Sequence, residues 1–290
     1  MSVSPPGAPQ STAVGSPPGD ADDTRSKHFG ALLRHPVTLI GGLALVVGAF
    51  ILVALAASPS IGLASAAGAG LLVVLVVWLV ASSRAEADFF NFYARGHGLI
   101  LGDGRGALPP VTPLLRKGDK RYTDRELQGA LPGGVEGALA LYTYEDSYRD
   151  SDGDRHTTYY RFTLVYSELP ECAGLIREMY CQRRVGFQFL DSAEDAFRRS
   201  HRVEVESAAA DQRYEIFVDD SDDDNVARQI LSPSFVVWLS EHAPESFAFE
   251  LVAGVLVCNV KGHLKSAVEL DDLCEAASAV VRRLREEAAE

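Results

Sequence analysis

Hydrophobic positions along this chain fall into two regimes. Near the start stand two unbroken apolar runs, 37–57 and 61–81, separated by Ser58, Pro59 and Ser60 alone. No Asp, Glu, Lys or Arg lies within either run. Each is about 20 residues long, which at ~1.5 Å per residue matches a hydrocarbon layer ~30 Å thick. The pair predicts a transmembrane helical hairpin. Small residues recur at helical spacing, Ala44 with Gly48 and Gly62 with Ala66 and Gly70, which lets helix backbones approach closely in lipid, either within the hairpin or between copies of the chain.

Beyond residue 81 the pattern becomes periodic. Residues 82–93 keep helical character, cluster Phe89, Phe90 and Phe92, and predict a juxtamembrane helix ending near Gly96 and Gly98. Segments 135–149 and 155–167 are rich in β-branched and aromatic residues and predict a long β-hairpin with a polar tip at 150–154. Segments 203–206 and 213–218 read as strands, 172–184 as either strand or helix, and 192–200 as a short capped helix. Helices are expected over 225–231 and 233–242, the second opening on Pro233. A tight hairpin is expected around Val252-Ala253-Gly254, from 246–251 and 255–260. In 268–290, Leu270, Leu273, Ala277, Val280, Val281 and Leu284 recur at three and four, as on an amphipathic helix.

The expected fold class is therefore α+β. A transmembrane hairpin precedes a soluble region of antiparallel β-hairpins with packed helices. Residues 1–30 read as a disordered tail, rich in Pro, Ser and Gly and poor in large apolar side chains. Residues 31–96 hold the hairpin and juxtamembrane helix, and 97–290 the soluble region, with a candidate subdomain boundary near 190.

Charge orients the chain. Arg25, Lys27 and Arg34 precede the first run, Arg84 and Arg95 follow the second, and the connecting loop is uncharged. Both termini are thus expected in the cytoplasm of a multi-pass cell-membrane protein. The 290 residues carry a net charge of −13, which argues against nucleic-acid binding and against the soluble region lying flat on anionic lipid. Cys172, Cys181, Cys258 and Cys274 form no C-x-x-C pair and are expected as reduced, mostly buried thiols. A Cys172–Cys181 disulfide is the alternative and would need the opposite compartment.

Candidate chemistry is sparse. Gly102-x-Gly104-x-Gly106 is followed by Pro109-Pro110 where a phosphate-binding turn would open a helix, so it reads as a linker or turn. The tip Asp150, Asp152 and Asp154 fails the calcium-loop pattern, with Arg155 and Arg161 where Gly and Glu are needed. The run 219–225 (DDSDDDN) fails it too and is expected to cap the helix that follows. His156, His201, His242 and His263 lie in separate elements without metal-ligand spacing. No catalytic, cofactor-binding or metal-ligating residue is assigned, and no cofactor.

Between 201 and 260 the residues Val203-Glu204-Val205-Glu206-Ser207, Tyr214-x-Ile216-x-Val218-x-Asp220, Ala227-Arg228-x-x-Leu231-Ser232-Pro233, Phe249 and Val255-Leu256-Val257 stand in order. In these the chain resembles a group of bacterial membrane proteins with two N-terminal spans and a soluble α+β region of unknown function. The Asp222–Asp224 stretch departs from the shorter turn usual there, and the resemblance carries over no functional residues. Protein interaction or scaffolding at the membrane is the expected role, with the membrane and another protein or a second copy as partners. The rival is a membrane-tethered enzyme whose site assembles from Tyr, His, Asp and Arg on the long hairpin and its neighbours.

Overall fold

The computed structural model describes residues 84–183, 200–204 and 213–289. The expected tail, both apolar runs and all but the last residue of the expected helix at 192–200 lie outside the described residues. Among the described residues no helix is long and apolar enough to cross a membrane.

The chain enters as helix α1 (residues 84–97). Strand β1 (Ile100–Leu101) and a single turn of helix, α2 (Pro113–Arg116), follow. Then come β2 (Lys120–Ala130), β3 (Glu136–Arg149), β4 (Arg155–Glu168) and β5 (Glu178–Arg183). After β6 (Ser200–Arg202) and β7 (Tyr214–Asp219) stand α3 (Asp224–Ile230) and α4 (Pro233–Glu241). The hairpin β8 (Ala248–Val252) and β9 (Val255–Lys261) leads to the long helix α5 (Ala267–Ala288). Among the described residues the strands form one sheet of nine, ordered β1-β2-β3-β4-β9-β8-β5-β7-β6. Every pairing in it is antiparallel.

The α+β class is as the periodicity predicts. The long hairpin pairs Ala138 with Tyr166 at its base and Arg149 with Arg155 at its tip. The β8–β9 turn puts Ala253 and Gly254 both at positive φ, 49° and 81°, as a two-residue hairpin turn following the strand twist requires. The ambiguous 172–184 resolves into a 3-10 turn at Pro170–Cys172 and the strand β5. Of the strand expected at 203–206, residues 205 and 206 lie outside the described residues; β6 itself covers Ser200–Arg202, where His201 pairs with Val218, and the Val203 N–H continues the pairing by donating to the Ile216 carbonyl at 2.9 Å. The Gly- and Pro-broken stretch 98–134 contains the eleven-residue strand β2. Its burial pattern leaves most side chains partly wet, so no clean alternation marks it.

All longer helices cover one face of the sheet. There Phe89, Phe90 and Tyr93 of α1 share a core with Leu139, Leu141, Val165, Leu256 and the buried stripe of α5. Each fully buried leucine or phenylalanine contributes roughly 1.5–3 kcal/mol of transfer free energy. The opposite face holds a smaller cluster, in which Leu114 and Leu115 of α2 lie on Tyr142, Tyr144, Phe162, Leu164 and Val257. All four cysteines are free and buried, so the alternative Cys172–Cys181 bond is not formed.

Candidate functional site

A depression runs beside the first half of α5. α4 stops at Glu241, and the chain turns through Pro244 and Ser246, the latter at φ 58°. That turn stands off from α5 and leaves two neighbouring cavities of about 580 and about 610 Å³. Pro244 and Asp272 line both. Arg183, Lys261, Glu245 and Glu269 line the first, and Trp238, His242, Glu275 and Arg282 the second. The hydroxyls at its margins are engaged with the backbone. Ser246 Oγ accepts from the Lys261 N–H at 3.3 Å, and Ser278 Oγ donates to the Gly133 carbonyl at 2.7 Å. Together the two cavities form a trough of mixed charge with one partly buried indole, Trp238.

At the end of the sheet where α1 begins, a polar clasp forms around a β-bulge between Thr123 and Arg125. Thr143 Oγ1 donates to Asp124 Oδ2 at 2.9 Å. His263 Nε2 lies 3.2 Å from the Tyr142 carbonyl and 3.3 Å from Thr143 Oγ1. Burial pushes the His263 pKa down, opposed by the Tyr142 carbonyl and Asp124. Thr143 is 1% exposed and its proton already goes to Asp124, so the clasp fixes the bulge and presents no nucleophile.

On the face opposite the long helices, Glu250 of β8 is 5% exposed. The Leu114 N–H donates to its Oε2 at 3.1 Å. Burial raises its pKa from 4.5 to about 7, opposed by Thr112, Leu114, Lys117 and Arg116. Glu250 carries no motif; its one mark in the sequence is to be the single acid within the apolar run Phe247 to Val252.

The acidic run binds its own surroundings. Asp223 caps α3 by accepting the Asn225 N–H at 2.9 Å, as expected. Asp222 accepts the N–H groups of Arg177 and Glu178, both at 2.9–3.2 Å, and so ties the start of β5 to this loop. Asp219 accepts the Ser221 N–H at 2.8 Å. Asp220 and Asp224 flank His201 at 3.3 and 2.5 Å and raise its pKa, Asp224 most. At the hairpin tip Asp150 accepts the N–H groups of Asp152 and Asp154 and pairs with His156 at 2.9 Å. The four histidines singled out thus stand apart: His156 at the tip, His201 on β6, His242 in the trough and His263 in the clasp. Of the hairpin tyrosines, Tyr142, Tyr144 and Tyr160 pack in the smaller core cluster, and neither of the two cavities beside α5 is lined by them.

Compared with family models, curated proteins and solved structures, the chain finds no match.

Proposed function

We propose that this chain is a membrane-anchored domain of the cytoplasmic face that binds another protein, or a second copy of itself, along the trough beside α5. The runs 37–57 and 61–81 are its two spans, and both termini lie on the inner side. Membership of the two-span bacterial family it resembles belongs to the same reading.

One observation carries it most. Arg84, three residues after the second run ends, already belongs to α1, and Phe89, Phe90 and Tyr93 of this helix are in the main core. In sequence, only Ser82 and Ser83 separate the apolar run from that helix. A domain held this close to a bilayer meets partners in two dimensions, where modest contacts suffice because effective concentration is high.

A photo-crosslinking residue at Ala279, which lines the trough, tests this in intact cells. The expected result is one stoichiometric adduct that Asp272→Arg abolishes while the protein stays in the membrane. Monomeric protein with no stoichiometric adduct overturns the reading. A membrane-tethered enzyme is the second reading, favoured by the same two cavities. Its distinguishing result is turnover lost in Asp272→Asn, at their junction, with the crosslinked adduct unaffected.

A further inference from the structure

We propose that the outer end of the β3–β4 hairpin is a membrane-contacting arm that rests in the headgroup layer of the bilayer holding residues 37–81. The proposal rests on the anchor just proposed and adds how the domain is oriented over it.

The geometry begins with α1. Its first turn sits at one end of the sheet. Glu86 pairs with Lys265 at 3.8 Å. The adjoining Leu264 N–H donates to Thr163 Oγ1 at 2.8 Å, and His263 meets Thr143. Its last turn sits at the other end, since Ile100 just beyond pairs with Gln128, which pairs with Ala138. The first described turn of α1 therefore lies level with Thr143 and Thr163, and the helix runs from there toward the base of the hairpin. Three peptide steps from Arg84 back to the last residue of the second run reach at most about 10 Å, so in this proposal the bilayer lies beyond the Thr143 end.

The hairpin points the same way. Thr143 pairs with Arg161, and the pairing continues to Arg149 and Arg155. Six further residues extend about 20 Å at ~3.3 Å each. β9 stops at Lys261, opposite Phe162, and β2 starts at Lys120, opposite Glu145. From Asp146 and Thr158 outward the ribbon has no third strand among the described residues. Its reach exceeds the chain available between the domain and the end of the span, so the tip arrives at the headgroups.

The root of the arm is stiff. Tyr144 stacks on Tyr160 at 4.7 Å and on Phe162 at 6.0 Å between ring centres. Its outer part carries the chemistry of an interface. Tyr148 is 60% and Tyr159 52% exposed, the two aromatic members of the large exposed hydrophobic set among the described residues. They lie on opposite faces of the ribbon, by the register. Arg149 and Arg155 close the outermost pair, and the Arg161 guanidinium lies 5.9 Å from the Tyr159 ring centre. Aromatic rings with a polar tip, flanked by arginine stems, favour the headgroup level. Glu145, Asp146, Asp150, Asp152 and Asp154 offset those arginines, so the contact does not depend on anionic lipid.

The test uses the full chain in liposomes. An environment-sensitive fluorophore goes on Ser151→Cys at the tip, and on Ile100→Cys at the far end as reference; the native thiols are buried and do not compete. Nitroxide-headgroup lipid in pure phosphatidylcholine should quench the tip label at least twofold and leave the reference within a tenth of its starting intensity. Adding phosphatidylserine or 0.5 M salt should not change this. Tyr148→Ser with Tyr159→Ser should cut the quenching by half or more while the protein still floats with the vesicles. Equal, weak quenching at both sites in floating protein overturns the arm and leaves the anchor standing. Disulfide crosslinking between two copies of the unlabelled Ser151→Cys variant, with no quenching of the labelled one, overturns it in favour of a second copy. Protein that does not float refutes the anchor, and the arm's assignment with it.

Discussion

The Tyr93 hydroxyl donates to Asp271 Oδ1 at 2.6 Å and so joins the entry helix α1 to the first turns of α5. The same carboxylate lies 3.4 Å from His97 Nε2. Burial, reinforced by that carboxylate, pushes the Tyr93 pKa well up, so the phenol stays a donor across all ordinary pH. The bond couples whatever holds the start of α1 to the helix that walls the trough.

Removing it should cost stability without disturbing the fold. Tyr93→Phe is expected to lower the unfolding free energy by about 1–3 kcal/mol, since it leaves a part-buried carboxylate short of a charge-assisted partner. A Tyr93→Phe, Asp271→Asn double-mutant cycle in chemical denaturation measures the coupling. Additive effects would show that the two helices are joined by packing alone.

Glu250 should make stability fall as pH rises. Its carboxyl is protonated in the folded protein up to about 7 but ionises near 4.5 once exposed. Between those values the unfolded chain binds fewer protons, so the stability is fully present below 4.5 and is lost as pH climbs to 7. The loss reaches about 3 kcal/mol at most. Glu250→Gln keeps an acceptor for the Leu114 N–H and should remove that slope. Melting temperatures from pH 5 to 8 check it; parallel curves for the two proteins would show that Glu250 does not titrate there.

His201 tilts stability the same way through a different cause. Asp224 and Asp220 raise its pKa, so its contribution is complete below pH 6.5 and fades above its folded value. His201→Ala should therefore destabilise more at pH 5.5 than at pH 8.5. The side chain is 38% exposed, so solvent keeps the effect small. Equal losses at both pH values would refute the pairing.

Gly137 marks the closest approach in the sheet. A Cβ there would stand 2.2 Å from the Tyr166 carbonyl oxygen, a backbone atom with no room to move. Gly137→Ala is expected to cost about 1–3 kcal/mol, as overpacking does, or to break the β3–β4 register at its base. Hydrogen exchange of the Ala138 and Tyr166 amides reports which occurs.

Asp222 reads as a loop acid and behaves as a splint. Asp222→Ala leaves the Arg177 and Glu178 N–H groups without their carboxylate and should cost about 1–2 kcal/mol, while Asp222→Asn recovers part of it. No difference between Ala and Asn would mean that the amides find water instead.

Local pattern alone determined much of this protein. The helices α3, α4 and α5, the long hairpin and the β8–β9 turn are legible because their periods and turn residues act over a few positions. Asp223 as a cap is legible for the same reason. The tertiary structure decided what depends on distant partners. β2 is held by β3 and by Leu127 beneath α1 rather than by its own propensity, so its polar sequence hides it. The pKa of Glu250 depends on α2 folding across it from 136 positions away. The trough beside α5 exists because two segments more than twenty residues apart stop short of each other. The level at which α1 meets the sheet likewise follows from packing, and no window of the sequence contains it.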